Sequence, residues 1–388
     1  MDFELSQEQR DIRAGIVEFA QAELGKEVAA HDRDGAFPRA DWQRCADFGV
    51  LGWPVPVEHG GSGYDPLTTM IALEALGYGC ADNGLVFAIN NHLWGCVIYL
   101  LEHGDDDQRA RYLEPLCSGR VVGAHALSEP EAGSDVLNMR TSAVRDGDHY
   151  VLNGTKWFVS NGPTADLYVV FARTGGPGRE QDLFSAFLVP ADLPGVRKGR
   201  EFDKMGLRTT EMGAVEFVDC RVPAADRLGR EGSGYAIFTG TVEWERSFMF
   251  ANQVGAMERL LERCVEHVST RRQFGRPLGA LQAVAHKIAD MKIRLELARL
   301  ILYRVGWLKT QGRFSLLDST IAKVFVSESL VQTAMAAVEV HGARGYISDN
   351  GIERELRDAL GGPIYAGSSA VQRGVLAELL GVRGGLTG

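Results

Sequence analysis

The spacing of apolar residues changes twice along this chain, and no other feature of the sequence restricts its fold as much. Up to about residue 120, apolar positions recur three and four residues apart, as at Val17, Ala20 and Leu24, which is typical of amphipathic helices. Strand-like alternation follows, and helical spacing then returns. This order predicts a mainly α protein with an N-terminal helical domain at 1–120, a central β domain at 121–228 and a C-terminal helical bundle at 229–388.

The central region contains several short runs rich in β-branched and aromatic residues. The strings "DLYVVFAR", "LFSAFLVP" and "GAVEFVDCRVP" are bounded by Gly and Pro. In "HYVLNGTKWFVS", the pair Asn153-Gly154 is a hairpin-turn signal between two such runs. We therefore expect a small antiparallel β domain with a turn at this pair.

A long apolar stripe marks the C-terminal region. Its members alternate four and three positions apart along one face of a single helix: Val284, Ile288, Met291, Leu295, Ala298, Leu302 and Val305. The stripe predicts the packed seam of a helical bundle. A seam this narrow also suits contacts between subunits, so a homo-oligomer is expected.

Composition and spacing exclude several classes of protein. A net charge of −10 makes nucleic acid an unsuitable partner. The first ten residues do not resemble a signal peptide, and no apolar run approaches the roughly 20 residues that cross a bilayer. The 6 cysteines show no CxxC and the 9 histidines no HExxH, so neither disulfides nor a metal site are predicted. We expect a cytoplasmic protein without a membrane or nucleic-acid partner.

Two neighbouring strings carry groups that suit a planar ligand. In "ALSEPEAGSD", Ser128 offers a hydroxyl, and Gly133 and Ser134 offer backbone N–H groups. In "KWFVSNG", Phe158 and Ser160 lie two residues apart, so a strand places both on one face. A flat ring beside a hydroxyl suits a flavin ring. The alternatives are a polar turn for the first string and a half-buried strand for the second.

Two further strings carry groups that suit phosphate and a base. In "STRRQFGRPL", the guanidinium groups of Arg271 and Arg272 match pyrophosphate geometry, and the ring of Phe274 can stack on a base. In "VEVHGARGY", Gly342 allows a ligand to approach the backbone closely. The alternatives are a solvated basic helix end and an ordinary glycine turn.

The string "GGPIYAGSSAVQR", residues 361–373, is similar to the closing segment of an active site. Its central side chain, Ala366, is a methyl group and cannot exchange a proton. Either the protein performs no proton chemistry or the base lies elsewhere in the chain.

Taken in this order, "SEPEAGSD", "KWFVSNG", "RRQFG", "HGARGY" and "IYAGSSAVQR" resemble the acyl-CoA dehydrogenase family across nearly the whole chain. The resemblance implies an N-terminal helical domain, a β-barrel-like middle domain and a C-terminal four-helix bundle. It also implies non-covalent FAD and a homotetramer.

The resemblance implies two groups of FAD contacts. The first surrounds the flavin and comprises Leu127, Ser128, Gly133, Ser134, Phe158 and Ser160, with Ser368 nearby. The second reaches the FAD of a neighbouring subunit and comprises Arg271, Phe274, Gln282, Glu339, Gly342 and Ala343. Phe158 stands where many members have Trp, Glu339 where Gln is usual, and Ala343 where Gly is usual. A carboxylate at 339 is unfavourable beside pyrophosphate unless it faces the ribose or adenine.

In this family a carboxylate removes the α-proton of a thioester while the β-hydrogen leaves as hydride to the flavin. Most members carry that base at the position of Ala366, whereas one branch carries it on a bundle helix just before an Arg. The string "TVEWERS" places Glu245 and Arg246 at that position. Arg246 would hold the carboxylate charged or bind substrate. The alternatives are a glutamate on the helix surface, or Glu243 as the base.

Ala366 retains a role in this comparison through its backbone. In the family, the N–H at this position donates to the thioester carbonyl, as in an oxyanion hole. The neighbours Tyr365 and Gly367 are expected to keep this geometry and to contact the substrate. The small side chain leaves room for a branched or cyclic acyl group.

A closer resemblance, over residues 243–300 and in "ALGYGCADNGLVFAINNHLWG", is to dehydrogenases that act on acyl groups held by carrier proteins in antibiotic biosynthesis, including prolyl thioesters. The first interpretation is therefore α,β-dehydrogenation of a carrier-tethered acyl or aminoacyl thioester. The alternatives are a short- or branched-chain acyl-CoA dehydrogenase of primary metabolism and an inactive flavoprotein binding module. The electron acceptor would be an electron-transfer flavoprotein or oxygen.

Overall fold

A computed structural model describes residues 4–175 and 183–382. The N-terminal part is helical, as predicted. The hydroxyl of Ser6 accepts a hydrogen bond from the N–H of Gln9, whose side chain binds back to the N–H of Ser6, and this capping box starts the first helix. The helices are α1 Gln7–Glu23, α2 Val28–Asp34, α3 Arg39–Asp47, α4 Pro66–Gly79, α5 Asn83–His92, α6 Ile98–His103 and α7 Asp106–Cys117.

A π-helical segment, Leu93–Val97, joins α5 to α6 without a break. The combined segment Asn83–His103 and the later helix Leu316–His341 are each long and apolar enough to cross a membrane. The expectation that no segment reaches this length is therefore wrong. The most apolar window of Asn83–His103 is 89% buried and that of Leu316–His341 is 50% buried, which is also how core helices of globular proteins behave.

The middle part is a single eight-stranded sheet of mixed direction, ordered β6-β7-β3-β2-β4-β5-β8, with β1 beside β4. Its strands are β1 Gly123–Ala126, β2 Ser142–Asp146, β3 His149–Ser160, β4 Leu167–Arg173, β5 Phe184–Pro190, β6 Val196–Glu201, β7 Met212–Pro223 and β8 Arg227–Leu228. The expected purely antiparallel arrangement is wrong, because β1 and β2 both pair with β4 in parallel. Two parallel neighbours are possible here because long connections return the chain to β4.

The hairpin turn expected at Asn153-Gly154 is also absent from the described sheet, because β3 runs straight through this pair. The strand forms a bulge there against β7, and Gly154 has φ +151°. A Cβ at Gly154 would lie 2.5 Å from Thr141 Oγ1, so only glycine fits this bulge. The turn that joins β2 to β3 lies instead at Gly147, which has φ +63°.

The C-terminal part is a helical bundle, as predicted. Its long helices are α8 Gly234–Phe248, α9 Ala251–Thr270, α10 Gln282–Thr310 and α11 Leu316–His341, followed by α12 Ala343–Tyr346, α13 Ile352–Ala359 and α14 Ser369–Leu379. A short hairpin, β9 Arg272–Gln273 and β10 Arg276–Pro277, separates α9 from α10. The predicted seam on α10 is buried from Met291 to Val305, and its first two members are half-buried.

Strand β4 shows how the sheet and the helices share one core. Alternate residues Leu167, Val169 and Phe171 pack into the cluster that also contains the buried faces of the helices. The residues between them, Tyr168 and Val170, pack into a second cluster inside the β domain. A strand buried on both faces in this way fixes the sheet against the helices, so groups from both can meet in one site.

Candidate active site

The first two predicted strings come together at one end of β3. Lys156 is fully buried and donates to the carbonyl oxygen of Leu127 at 3.0 Å and to the carboxylate of Glu129 at 2.8 Å. The N–H of Trp157 donates to the carbonyl oxygen of Ser128 at 2.8 Å. These bonds hold the half-buried residues Leu127 and Ser128 beside the strand that carries the second string.

Phe158 projects from a bulge in that strand. The pairing of β3 with β7 shifts between Lys156 and Val159, and Phe158 has φ +56°, which is rare for an aromatic residue. Its side chain is 57% exposed, and its ring lies 5.3 Å from the ring of Phe202. Val159 is buried while Ser160 is half-buried, so Phe158 and Ser160 both face away from the inner core of the β domain.

Gly133 and Ser134 lie on an exposed loop within the first string. A Cβ built at Gly133 meets nothing within 4 Å, and Ser134 is exposed. The backbone is therefore open to a ligand at this point. Packing does not explain a glycine here, because the surrounding space would accept a side chain.

Glu243 and Glu245, the two candidate bases, have different surroundings. The carboxylate of Glu243 accepts a hydrogen bond from Ser315 Oγ at 2.7 Å and lies 3.3 Å from Lys309 Nζ. Among the described residues, Glu245 has no hydrogen-bond or ion-pair partner of this kind. Its side chain is half-buried, and the loss of hydration raises its pKa to about 7, although the charge of Arg246 acts in the opposite direction.

Arg246 follows Glu245 and is half-buried between the helices. Burial lowers its pKa, while the charges of Glu245 and Glu243 act to raise it. Its Nε atom is buried and has no hydrogen-bond partner among the described residues. The Nε–H group of Arg246 can therefore donate a hydrogen bond to an anionic or carbonyl group of a ligand.

The segment around Ala366 is held in an unusual backbone conformation. Ala366 has φ +54° and Gly367 has φ +79°. A Cβ at Gly367 would lie 2.3 Å from Nε2 of Gln372, a buried residue on α14. Ser368 caps α14 by accepting a hydrogen bond from the N–H of Val371 at 3.3 Å.

Tyr365 connects this segment to the helix that follows α8. Its ring stacks on Phe250 at 5.3 Å and contacts Phe87 at 4.6 Å, and its hydroxyl accepts a hydrogen bond from Gln253 at 2.7 Å. Phe250 lies only five residues after Glu245. These contacts tie the backbone at Ala366 to the same region of the bundle as the candidate base.

The predicted second group of FAD contacts gathers at the opposite end of α9 and α11. Phe274 is 88% exposed with φ +49°, and Arg271, Gln282, Gly342 and Ala343 are exposed as well. The rings of His267 and His341 stack at 4.3 Å and bring the two helix ends together. Glu339 forms an ion pair with Lys287.

The two groups remain separate within one chain. Across residues 4–175 and 183–382, no hydrogen bond, ion pair or ring contact links the second group to Phe158 or Ser160. The assignment of the second group to the FAD of a neighbouring subunit stays a prediction. The positive charge of Lys287 offsets the negative charge of the Glu339 carboxylate. The repulsion expected between this carboxylate and a bound pyrophosphate is therefore smaller.

Several residues of this region were missed by the sequence analysis. Lys156 is the first residue of "KWFVSNG", but its burial cannot be recognised from one sequence. The charge of Glu245 acts on Tyr99, whose ring stacks on that of His125, and neither residue belongs to a spacing pattern. Gln372 supports Ala366 through a hydrogen bond of 3.5 Å to its carbonyl oxygen, and only the fold reveals this contact.

Three family models match the chain in succession. They are the acyl-CoA dehydrogenase N-terminal domain over residues 6–120, the middle domain over 124–220 and the C-terminal domain over 232–381. The chain is 40% identical over 381 residues to an L-prolyl-[peptidyl-carrier protein] dehydrogenase of Pseudomonas fluorescens strain Pf-5, with 98% of this chain and 100% of the relative covered.

Solved structures show the same similarity. The prolyl acyl carrier protein oxidase AnaB superposes with a TM-score of 0.95 at 43% identity, covering 97% of this chain and 100% of AnaB. A structure described as PigA with FAD and proline superposes with a TM-score of 0.96 at 35% identity, covering 99% of this chain and 100% of PigA. From the matching domain models and these relatives, the chain belongs to the acyl-CoA dehydrogenase family.

Proposed function

We propose that this protein is an FAD-dependent dehydrogenase that forms a Cα–Cβ double bond in an acyl or aminoacyl thioester tethered to a carrier protein. The observation that carries the proposal is the state of Glu245: its carboxyl group is half-buried, has no hydrogen-bond partner within the described ranges and has a pKa of about 7. A general base is most effective when its pKa lies near the working pH.

The residues of this chain fit FAD. The exposed ring of Phe158 and the half-buried hydroxyl of Ser160 offer an aromatic face and a hydrogen-bonding group. The open backbone at Gly133 and Ser134 can approach a ring edge or a phosphate. Arg271 and Phe274, exposed at the far end of the bundle, suit the nucleotide of an FAD held mainly by another subunit.

The chemistry divides between two parts of the bundle. Glu245, ionised, removes the α-proton of the thioester, and Arg246 favours the ionised carboxylate and holds a polar group of the substrate. The backbone N–H of Ala366 donates to the thioester carbonyl oxygen, where negative charge develops as the α-proton leaves. FAD held by these residues would supply the acceptor for the β-hydrogen and its electron pair.

The relatives support a carrier protein as the tether. Prolyl groups on carrier proteins are the substrates named for the Pseudomonas dehydrogenase and for AnaB. Such a role belongs to a biosynthetic pathway, for example that of an antibiotic, in the cytoplasm. The remaining parts of the proposal are a homotetramer, which would complete each FAD site, and an electron-transfer flavoprotein or oxygen as acceptor.

Anaerobic reduction of the purified, FAD-loaded protein tests the proposal. Prolyl and short acyl groups are presented on a carrier protein and, separately, on CoA, and the loss of flavin absorbance is followed. We expect rapid bleaching by a carrier-bound thioester and slow or no bleaching by the same group on CoA.

Each other result points to a different function. Faster bleaching by a short or branched acyl-CoA would identify an acyl-CoA dehydrogenase of primary metabolism. Binding of acylated carrier protein without any bleaching would identify an inactive flavoprotein. A protein that does not take up FAD would contradict the proposal altogether.

A further inference from the structure

Two buried polar atoms on neighbouring rings, one on Tyr99 and one on His125, have no hydrogen-bond partner in the described parts of the chain. Tyr99 lies on α6 and is fully buried, yet its hydroxyl makes no hydrogen bond. His125 lies on β1, and its Nε2 atom is likewise buried and unpaired. The two rings stack, with centroids 5.1 Å apart and 26° between their planes. Unpaired buried polar groups are costly, so each one calls for an explanation.

The pair lies on the side of α8 that carries the candidate base. Phe238 and Glu245 are seven residues apart and therefore share one face of α8. The ring of Phe238 lies 6.2 Å from that of Phe171, which in turn lies 5.8 Å from Tyr99. The negative charge of Glu245 also acts on Tyr99, although no hydrogen bond joins the two.

The groups around the pair are mainly apolar. The ring of Phe171 meets the ring of His125 edge-on at 5.4 Å, and Phe238 extends the same aromatic surface. Burial, together with the charge of Lys156, lowers the pKa of His125 to about 4, so its imidazole is neutral at about pH 7. A neutral imidazole and a phenol can each donate or accept one hydrogen bond.

We infer that the hydroxyl of Tyr99 and Nε2 of His125 determine acyl specificity by hydrogen bonding to a polar atom of the acyl group, such as the amine nitrogen of a prolyl ring. This inference rests on the proposed function and adds the class of acyl group to it. A site that contains unpaired polar atoms disfavours a hydrocarbon of the same shape, because those atoms then stay unpaired. The expected substrate is therefore an aminoacyl thioester rather than a purely hydrocarbon one.

Binding tests the inference without requiring turnover. L-Prolyl and cyclopentanecarbonyl groups, which have similar shapes, are loaded on the same carrier protein through a stable amide analogue of the thioester. Their affinities for the FAD-loaded protein are measured by calorimetry. We expect the prolyl form to bind about tenfold more tightly, as for one or two added hydrogen bonds.

Three variants locate the preference. Tyr99→Phe removes only the hydroxyl, and His125→Phe removes the ring nitrogens while keeping a ring for stacking. Each should reduce the preference for the prolyl form by weakening prolyl binding, while the carbocyclic form binds at least as tightly as it does to the unmodified protein, because the unpaired atom is gone. Tyr78→Phe is the matched control, because its hydroxyl binds Glu262 on the outer surface, and it should keep the full preference.

Equal binding of both forms by the unmodified protein, or an undiminished preference in both Tyr99→Phe and His125→Phe, would overturn the inference. Either result would mean that the Tyr99 hydroxyl and His125 Nε2 form hydrogen bonds with ordered water and not with the acyl group. Flavin reduction is recorded separately with the true thioesters. A clear prolyl preference in binding without flavin reduction would support the pocket and contradict the proposed dehydrogenation, so the two failures are distinguishable.

Discussion

Glu243 and Glu245 are two residues apart on α8, yet of the two only Glu243 is held by partners among residues 4–175 and 183–382. Lys309, at the end of α10, and Ser315, just before α11, bind the carboxylate of Glu243. Glu245 points to another side of the helix, because a step of two residues rotates the side chain by about 200°. The fold therefore gives one glutamate a structural environment, while the other has no such partner in the described parts of the chain.

Replacing Glu245 by Gln is expected to abolish most of the activity. The amide cannot accept the α-proton, and loss of a general base typically lowers rates by about 100-fold to 10,000-fold. FAD binding should be unchanged. Stopped-flow measurement of anaerobic flavin reduction provides the rate, and undiminished reduction would show that the base lies elsewhere.

Replacing Glu243 by Gln should lower stability rather than activity. We expect flavin reduction to persist while the free energy of unfolding falls by about 2 kcal/mol, because the ammonium group of Lys309, on a side chain that is only 12% exposed, loses its counter-charge. Urea denaturation of both variants measures this difference. If Glu243→Gln eliminates flavin reduction while Glu245→Gln does not, the roles of the two residues are reversed.

The rate of flavin reduction should depend on pH through Glu245. The base works as a carboxylate, so kcat/KM should rise with pH and level off above about 7, the pKa of Glu245. The free energy of unfolding should instead fall as pH rises. The folded-state pKa of Glu245 lies above its ordinary value of 4.5, so the folded protein binds this proton more tightly than the unfolded chain does. The stability that this proton contributes is lost as pH rises from about 4.5 to 7.

Comparison with Glu245→Gln isolates this effect. The variant should lack the part of the pH dependence of unfolding that falls in this window, as measured by urea denaturation at a series of pH values. A rate profile in the active protein that stays flat between about pH 5 and 8 would be incompatible with a base of this pKa.

Replacing Phe158 by Ala should weaken FAD binding about fivefold to tenfold, because an aromatic contact contributes roughly 1 kcal/mol. Stability of the apoprotein should hardly change, since the ring is largely exposed. Titration of apoprotein with FAD gives the dissociation constant. Phe314→Ala, at another exposed phenylalanine, is the control, and an equal loss of affinity there would remove the assignment of Phe158.

Replacing Gly367 by Ala should impair activity and stability together. The added Cβ meets Gln372 and must adopt a positive φ, which we expect to cost about 1–2 kcal/mol of unfolding free energy and to shift the N–H of Ala366. Gly240→Ala is the matched control, since its Cβ would meet nothing within 4 Å on an exposed part of α8. Thermal unfolding and flavin reduction measure both effects, and a fully active Gly367→Ala variant would show that the local backbone is not critical.

Much of the fold follows from local patterns in the sequence. The stripe from Met291 to Val305 predicted one face of α10 correctly, because a helix places residues three and four apart on one side whatever surrounds it. The strings around Ser128 and Phe158 indicated a ligand site, because each combines hydrogen-bonding groups with an aromatic ring or an open backbone. The resemblance to a family indicated that both strings contact the same ligand, FAD.

Local patterns failed where two segments compete or where the partners are remote. Asn153-Gly154 has the composition of a turn, but pairing of β3 with β7 along its whole length leaves only a bulge there. The sequence around Glu243 and Glu245 also does not distinguish the two glutamates, because the partners of Glu243 come from the end of α10 and from just before α11.

The sequence by itself determined the order of helices and strands, the family and the short strings that form the candidate site. Only the tertiary structure decided which of the two glutamates is held by Lys309, and that Tyr99 stacks on His125, 26 residues away in the chain. The physical reason is that hydration and charge around a side chain depend on its neighbours in space. These neighbours come from segments whose relative positions no local pattern encodes.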